Sequence, residues 1–165
     1  MTDSRLIVLD AGPIIHLDEL GCLDLLEDFA SLKIPLVVWH EVQKHREQIQ
    51  ISNLRICEII PQHSKVNFKL ATFAKSLSLD AGEIEALALL EGSQGALFLC
   101  DDAAARLAGE SLGIEVRGTI GILVRAIRRG RHTQAEVKSL LEEIPNKSTL
   151  HISRRLLDKI IKDLE

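Results

Sequence analysis

Three short runs, Leu6–Leu9 (LIVL), Leu36–Trp39 (LVVW) and Ala96–Cys100 (ALFLC), contain only apolar residues, and longer segments of helical period lie between them. A strand that is apolar on both faces must be covered on both faces, which is the condition of a parallel sheet with helices on each side. Two weaker segments, Ile56–Ile60 and Glu115–Arg117, complete a predicted set of five strands. Helices are predicted around Leu20–Phe29, Glu41–Gln48, Asn67–Leu77, Ala81–Glu91, Ala103–Leu112, Ile120–Arg129, Thr133–Glu143 and Arg154–Leu164. The fold class is therefore α/β, a three-layer α/β/α arrangement around a mostly parallel sheet. At 165 residues and 46% hydrophobic content the chain has the material for one core, so 1–165 is expected to fold as one domain. The tail SRRLLDKIIKDLE, about 153–165, places Leu156, Leu157, Ile160, Ile161 and Leu164 on one helical face, with Ser153 as its cap. That stripe needs an apolar surface, on its own domain or on a partner.

Composition removes several classes of function. Cys22, Cys57 and Cys100 are odd in number, far apart and without C-x-x-C spacing, so neither a disulfide framework nor a zinc knuckle is indicated. MTDSR is no signal sequence, and no apolar run nears the roughly 20 residues that span a bilayer. A soluble protein of the reducing cytoplasm, with no membrane partner, is expected. The net charge of −4 gives no overall attraction to nucleic acid, so binding it would need a local basic patch.

The apolar runs end in acids. Asp10 follows LIVL, Glu41 comes just after PLVVW, and Asp101 and Asp102 follow ALFLC, while Glu83 opens the helix in LDAGEIEALALL. Ligands of open α/β sheets bind beyond the carboxyl ends of the strands, where these acids collect. Carboxylates crowded together repel one another unless a cation balances them. Magnesium and manganese suit such hard oxygen ligands, and can activate water and stabilise a departing phosphodiester oxygen.

Each acid also has a structural reading. DAGP is good turn chemistry for Asp10. Glu83 stands at capping-box spacing from Asp80, Asp102 can cap the helix from Ala103, and Glu41 can be a first-turn acid. Glu85 faces away from Glu83 on the same helix and is at most a supporting residue. With Asp102 occupied as a cap, Asp101 is expected to be the member of the pair that faces a metal. In HEVQKH the histidines at 40 and 45 are five apart, diverging by about 140°, which excludes an H-E-x-x-H zinc site. His16 reads as a satisfied, half-buried histidine. RAIRRGRH carries Arg125, Arg128, Arg129 and Arg131 at a helix end closed by Gly130, where cations complement the helix dipole or meet phosphate. Arg106 follows the acid pair by about one turn, within reach of a phosphate or a carboxylate.

In this combination VLDAGPIIHL, VVWHEV, LDAGEIEALALL and LFLCDDAAARLAGESLGIEVRGTIGILVRA resemble the successive motifs of PIN-domain ribonucleases, and in particular a VapC-like branch that serves as toxins of prokaryotic toxin–antitoxin pairs. The resemblance runs through nearly the whole chain. It implies Mg2+- or Mn2+-dependent hydrolysis of RNA phosphodiester bonds, with Asp10, Glu41, Glu83 and the Asp101/Asp102 pair as catalytic acids. It implies metal binding by those acids and a small antitoxin protein. RNA contacts from Arg106, Arg128, Arg129 and Arg131 are the functional reading of those arginines themselves, and the apolar stripe of the tail with the exposed side of the Leu20–Phe29 helix leads to the expectation of a homodimer or an antitoxin docked near them. Two positions depart from the pattern: Gly12 stands where the first motif commonly has Ser or Thr, and Cys100 where Thr or Ser often precedes the last acids.

Two other functions are compatible with parts of the pattern. One is a catalytically silent PIN-like module that binds RNA or a partner, to which Gly12 and Cys100 point. The other is a phospho-accepting receiver, disfavoured because GTIG follows Glu115–Arg117 where a lysine is required.

Overall fold

The structure, a computed structural model, describes residues 5–50, 54, 57–62 and 65–165. Five parallel strands, β1 (Ile7–Leu9), β2 (Leu32–Pro35), β3 (Cys57–Ile60), β4 (Leu97–Leu99) and β5 (Glu115–Arg117), form one sheet in the order β3-β2-β1-β4-β5. Among the described residues there are eight α-helices: α1 (Ala11–Glu19), α2 (Leu36–His45), α3 (Phe68–Ser76), α4 (Ala81–Leu90), α5 (Ala103–Ser111), α6 (Thr119–Arg128), α7 (Gln134–Lys147) and α8 (Arg154–Asp163). A 3-10 segment covers Leu23–Asp28.

Side chains alternate across a strand, and here the alternation divides the interior into two cores. Ile7, Leu9, Leu32, Ile34, Leu97 and Leu99 pack with α1, α2, α6, α7 and Leu157 of α8. Val8, Phe98, Cys100 and Val116 pack with α3, α4 and α5 on the other face. The expected three layers are present, and every strand pair is parallel.

Two predicted elements are corrected. Leu36–Trp39 is not a strand but the start of α2, and β2 lies before it at Leu32–Pro35. A short apolar run does not distinguish a buried strand from a buried helix face. Here Val38, Trp39 and Val42, at helical spacing, are the buried face. The predicted Leu20–Phe29 helix is also replaced, by α1 upstream and the 3-10 segment downstream. Pro13 does not oppose α1, because a proline in the first turn removes no intrahelical bond. Leu20, Leu25, Leu26 and Phe29 are all buried, so this segment offers no exposed apolar face. Ile56 of the third predicted strand lies outside the described residues, while β3 follows directly at Cys57.

The tail packs on its own chain. Ser153 caps α8 by accepting from the Leu156 N–H, Leu157 is buried, and Ile160, Ile161 and Leu164 join the first core. Only Leu156 of that stripe is exposed, at 49%. Among the described residues no helix is long and apolar enough to cross a membrane.

Phe98 is fully buried in the middle of β4, beneath α4 and α5. Phe98→Ala is expected to lower the unfolding free energy by about 3–5 kcal/mol, through reduced apolar burial and the cavity left behind. Urea denaturation checks this, and a change under about 1 kcal/mol would show that the second core does not hold the sheet.

Candidate active site at the carboxyl edge of the sheet

The Asp10 N–H donates to the Leu99 carbonyl at 2.9 Å, and the Cys100 N–H to the Arg117 carbonyl at 2.9 Å. The ladder thus continues one residue past β1 and β4, and with it the alternation of side chains. Leu9 and Leu99 are paired and face the first core, so Asp10 and Cys100 turn together toward α4 and α5. There Cys100 Sγ donates to Asp10 Oδ2 at 3.4 Å. The thiol occupies the place of the hydroxyl that the motif commonly carries, and it supplies the same kind of donor.

On that side Glu83 of α4 feels the charges of Asp80, Asp102 and Asp10, and Asp10 those of Asp80 and of Glu41 on α2. Asp10 and Glu83 are each only 6% exposed. Burial, with the charges of Asp80 and Glu41 adding to it, pushes the Asp10 carboxyl up to about 7. Burial likewise pushes Glu83 up to about 8, with Asp80, Asp102 and Asp10 all adding. Glu41 is raised by burial and by Asp80. It reaches the group from the second turn of α2, not from a strand end, because Gly82 leaves room: a Cβ there would lie 3.7 Å from Glu41 Oε2 and 3.0 Å from Val38. Asp80 carries the local pattern of a helix cap alone, and its nearness to the other acids is visible only in the folded chain.

Several of these carboxylates already have partners. Asp80 Oδ1 accepts from the Glu83 N–H at 2.8 Å, and Glu83 Oε2 accepts from the Asp80 N–H at 2.9 Å. Asp102 Oδ1 accepts from the Ala105 N–H at 2.9 Å. As the side chains stand, no three acidic, His or Cys donors among the described residues converge tightly enough to enclose a metal ion. The donor chemistry nonetheless fits a hard divalent cation. All five groups are carboxylates, two are buried, and no Lys or Arg of the described residues pairs with any of them.

Asp101 belongs to the opposite side, which corrects the expectation that it faces a metal. Its Oδ1 accepts from the Thr119 N–H at 2.7 Å, and its Oδ2 accepts from Thr119 Oγ1 at 2.5 Å and His16 Nδ1 at 2.6 Å. It caps α6 and ties α1 to it, so both oxygens are occupied. Gly12 makes space for this knot: a Cβ there would stand 3.3 Å from Asp101 Cβ and 3.5 Å from His16 Cε1. Strand alternation continued two residues past Leu99 is the sequence signal for this placement, since it sends Asp101 toward α1 and α6. Arg106 donates to the Cys100 carbonyl at 3.1 Å and abuts Gly118, where a Cβ would stand 2.8 Å from its Nη1.

The remaining arginines lie elsewhere. Arg128 closes α6, about 14 Å along the helix from Thr119. Gly130, in the left-handed region at φ 68°, ends that helix as expected. Arg129 pairs with Asp28 at 3.2 Å and Arg131 with Asp24 at 3.5 Å, which binds both to the 3-10 segment and away from the acids.

Asp101→Asn replaces an oxygen by an amide among donors and is expected to cost about 1–3 kcal/mol. Asp102→Asn keeps a good cap and changes stability by only a few tenths. Equal melting temperatures for the two variants would contradict the assignment. The Asp10 and Glu83 carboxyls rise from ordinary values of 3.8 and 4.5 to about 7 and about 8, so protonation favours the folded state. The associated stability is complete below those ordinary values and is lost as pH rises through about 7 and about 8. The metal-free protein is therefore expected to melt at lower temperature at pH 8 than at pH 5, with a smaller difference in Asp10→Asn. A wild-type melting temperature that rises over this interval would contradict it.

The model of a protein family described as a PIN domain matches residues 6–165. No match was found among curated proteins. The match extends over nearly the entire chain and agrees with the five-stranded parallel sheet between helical layers and with the acids at its carboxyl edge, a nuclease fold: the chain belongs to the PIN-domain family.

Proposed function

We propose that this protein is a divalent-metal-dependent endoribonuclease that hydrolyses RNA phosphodiester bonds, and that it acts as the toxin of a type II toxin–antitoxin pair. The observation that supports this reading is the set of five carboxylates at one sheet edge, two of them buried, of which Glu41 alone has cationic neighbours, Lys44 and His45, that lower its pKa. Asp10, Glu83 and Asp102 would hold Mg2+ or Mn2+, with Glu41 and Asp80 adding negative charge beside them. When bound, such an ion supplies an activated water and neutralises charge at the scissile phosphate.

The chain's own contributions follow from the bonds described. Cys100 holds Asp10 Oδ2 with its S–H. Burial and the Asp10 charge keep that thiol protonated, which removes it as a nucleophile. Glu83, whose Oε2 accepts from the Asp80 N–H, would hold the ion from the N-terminus of α4. Asp101 keeps α1 and α6 in place around the site. Trp39, Phe29 and Phe98 are buried and Phe68, 88% exposed, is the large aromatic side chain open to solvent among the described residues, so RNA is held by its backbone more than by extensive base stacking. A homodimer and a small antitoxin are the proposed partners, and Leu156 is the apolar residue that α8 leaves open to them. The site of action is the cytoplasm.

The test is cleavage of a mixed RNA pool during titration with Mg2+ or Mn2+. Asp10→Asn and Asp102→Asn are each expected to lose at least about a hundredfold in rate, beyond the usual cost of losing a supporting residue. Asp101→Asn is expected to retain measurable cleavage at a lowered melting temperature. Metal-independent cleavage, or wild-type cleavage by Asp10→Asn, would overturn the proposal. A neighbouring reading frame for a small DNA-binding protein supports the toxin role, and its absence counts against it.

A further inference from the structure

The acids leave the chain with a net charge of −4, yet one groove on its surface is strongly basic. It encloses about 230 Å3 between β5, at the edge of the sheet, and α6, with an apolar floor that includes Phe29, Leu99 and Ile122 and with Arg5, Arg117, Arg125 and Arg128 outnumbering two carboxylates, Glu115 in the lining and Asp28 against Arg125. The groove is built rather than accidental. Glu115 Oε2 accepts from Arg5 at 2.8 Å and its Oε1 lies 3.0 Å from Arg117, so one acid holds two guanidinium groups side by side. Gly121 provides the width: a Cβ there would meet the Arg117 stem at 3.5 and 3.6 Å. Arg125 is fixed from below by Asp28 and lies 4.2 Å above the Phe29 ring. Gly121, Arg125 and Arg128 recur at helical spacing and line one side of α6.

The groove also has a direction. Arg117 precedes Gly118, whose α-carbon stands against Asp101 and Arg106 at the active edge. From there the guanidinium groups descend along α6 to Arg128, away from the carboxylates.

We infer that this groove binds the sugar-phosphate backbone of single-stranded RNA and leads the strand to or from the acidic edge. The inference rests on the nuclease reading for its substrate class, but not on catalysis. Planar guanidinium groups with several donors suit phosphate oxygens, and a row of them reads charge and spacing instead of sequence. Arg125 shares Asp28 with Arg129, so the groove adjoins the Arg129 and Arg131 pairs on the 3-10 segment.

Binding of a fluorescent single-stranded RNA of mixed sequence, measured by anisotropy in EDTA at several salt concentrations, tests this without cleavage. Arg117, 60% exposed, and Arg128, also exposed, tolerate truncation. Arg117→Ala and Arg128→Ala are each expected to weaken binding several-fold and to lower the slope of log K against log salt by about 0.7 for each phosphate left without its arginine. The lysine variants should recover much of the slope, and Arg154→Ala on α8 should bind like wild type. Unchanged affinity and slope in both alanine variants would overturn the inference. Loss of binding to polyglutamate with RNA binding intact would overturn it too, by assigning the groove to an acidic protein segment. RNA binding that depends on the groove in a protein that never cleaves would refute the nuclease reading and leave the groove standing.

Discussion

The register between β1 and β4 sets the chemistry of the molecule. Leu9 opposite Leu99 brings Asp10 level with Cys100, and the hydrogen bond from the Asp10 amide carries the pairing past the formal end of the strand. A slip of one residue would send Asp10 toward α1 and α6 and bring Asp101 in its place. The register is secured by apolar packing on both faces, since Val8 and Phe98 fill one core while Leu9 and Leu99 fill the other. Core packing, and not any bond within the site, therefore decides which acids meet.

Once assembled, the acids work against the fold. Two carboxyls are buried beside three others, and their free energy is lowered by protonation, by a cation, or by the amides of helix N-termini. The structure uses the last of these, in the reciprocal bonds of Asp80 and Glu83 and in the Asp102 cap. A metal bound there, as proposed, would compete with helix capping for the same oxygens. A site tied up in this way keeps its carboxylates ordered near their working positions at a cost in readiness.

Much of this is legible in the sequence. Fully apolar runs ending in acids announce a parallel sheet and its functional edge, and the caps at Asp80, Asp102 and Ser153 are where their motifs put them. The LVVW run misleads because β-branched and aromatic residues also line a buried helix face, and the boundary is Pro35, which closes β2. Asp101 is hard to place for a different reason. Its partners, His16 and Thr119, lie 85 and 18 residues away, and no local pattern connects them. Asp80 carries the signal of a cap so clearly that a second role beside Glu41 and Asp10 is hidden.

The contact between Asp10 and Cys100 joins positions 90 residues apart in the chain. The intervening segment contributes β2, β3 and the Glu83 helix, and the knot at Asp101 further requires Thr119. During synthesis, which proceeds from the N-terminus at about 5–20 residues per second, the ribosome therefore carries a chain with no assembled acidic edge until well over half of it has emerged. Premature termination between Glu83 and α6 yields fragments that hold Asp10, Glu41 and Glu83 but lack the helix that Asp101 anchors. The order of the segments delays assembly of the acidic edge until α6 has emerged.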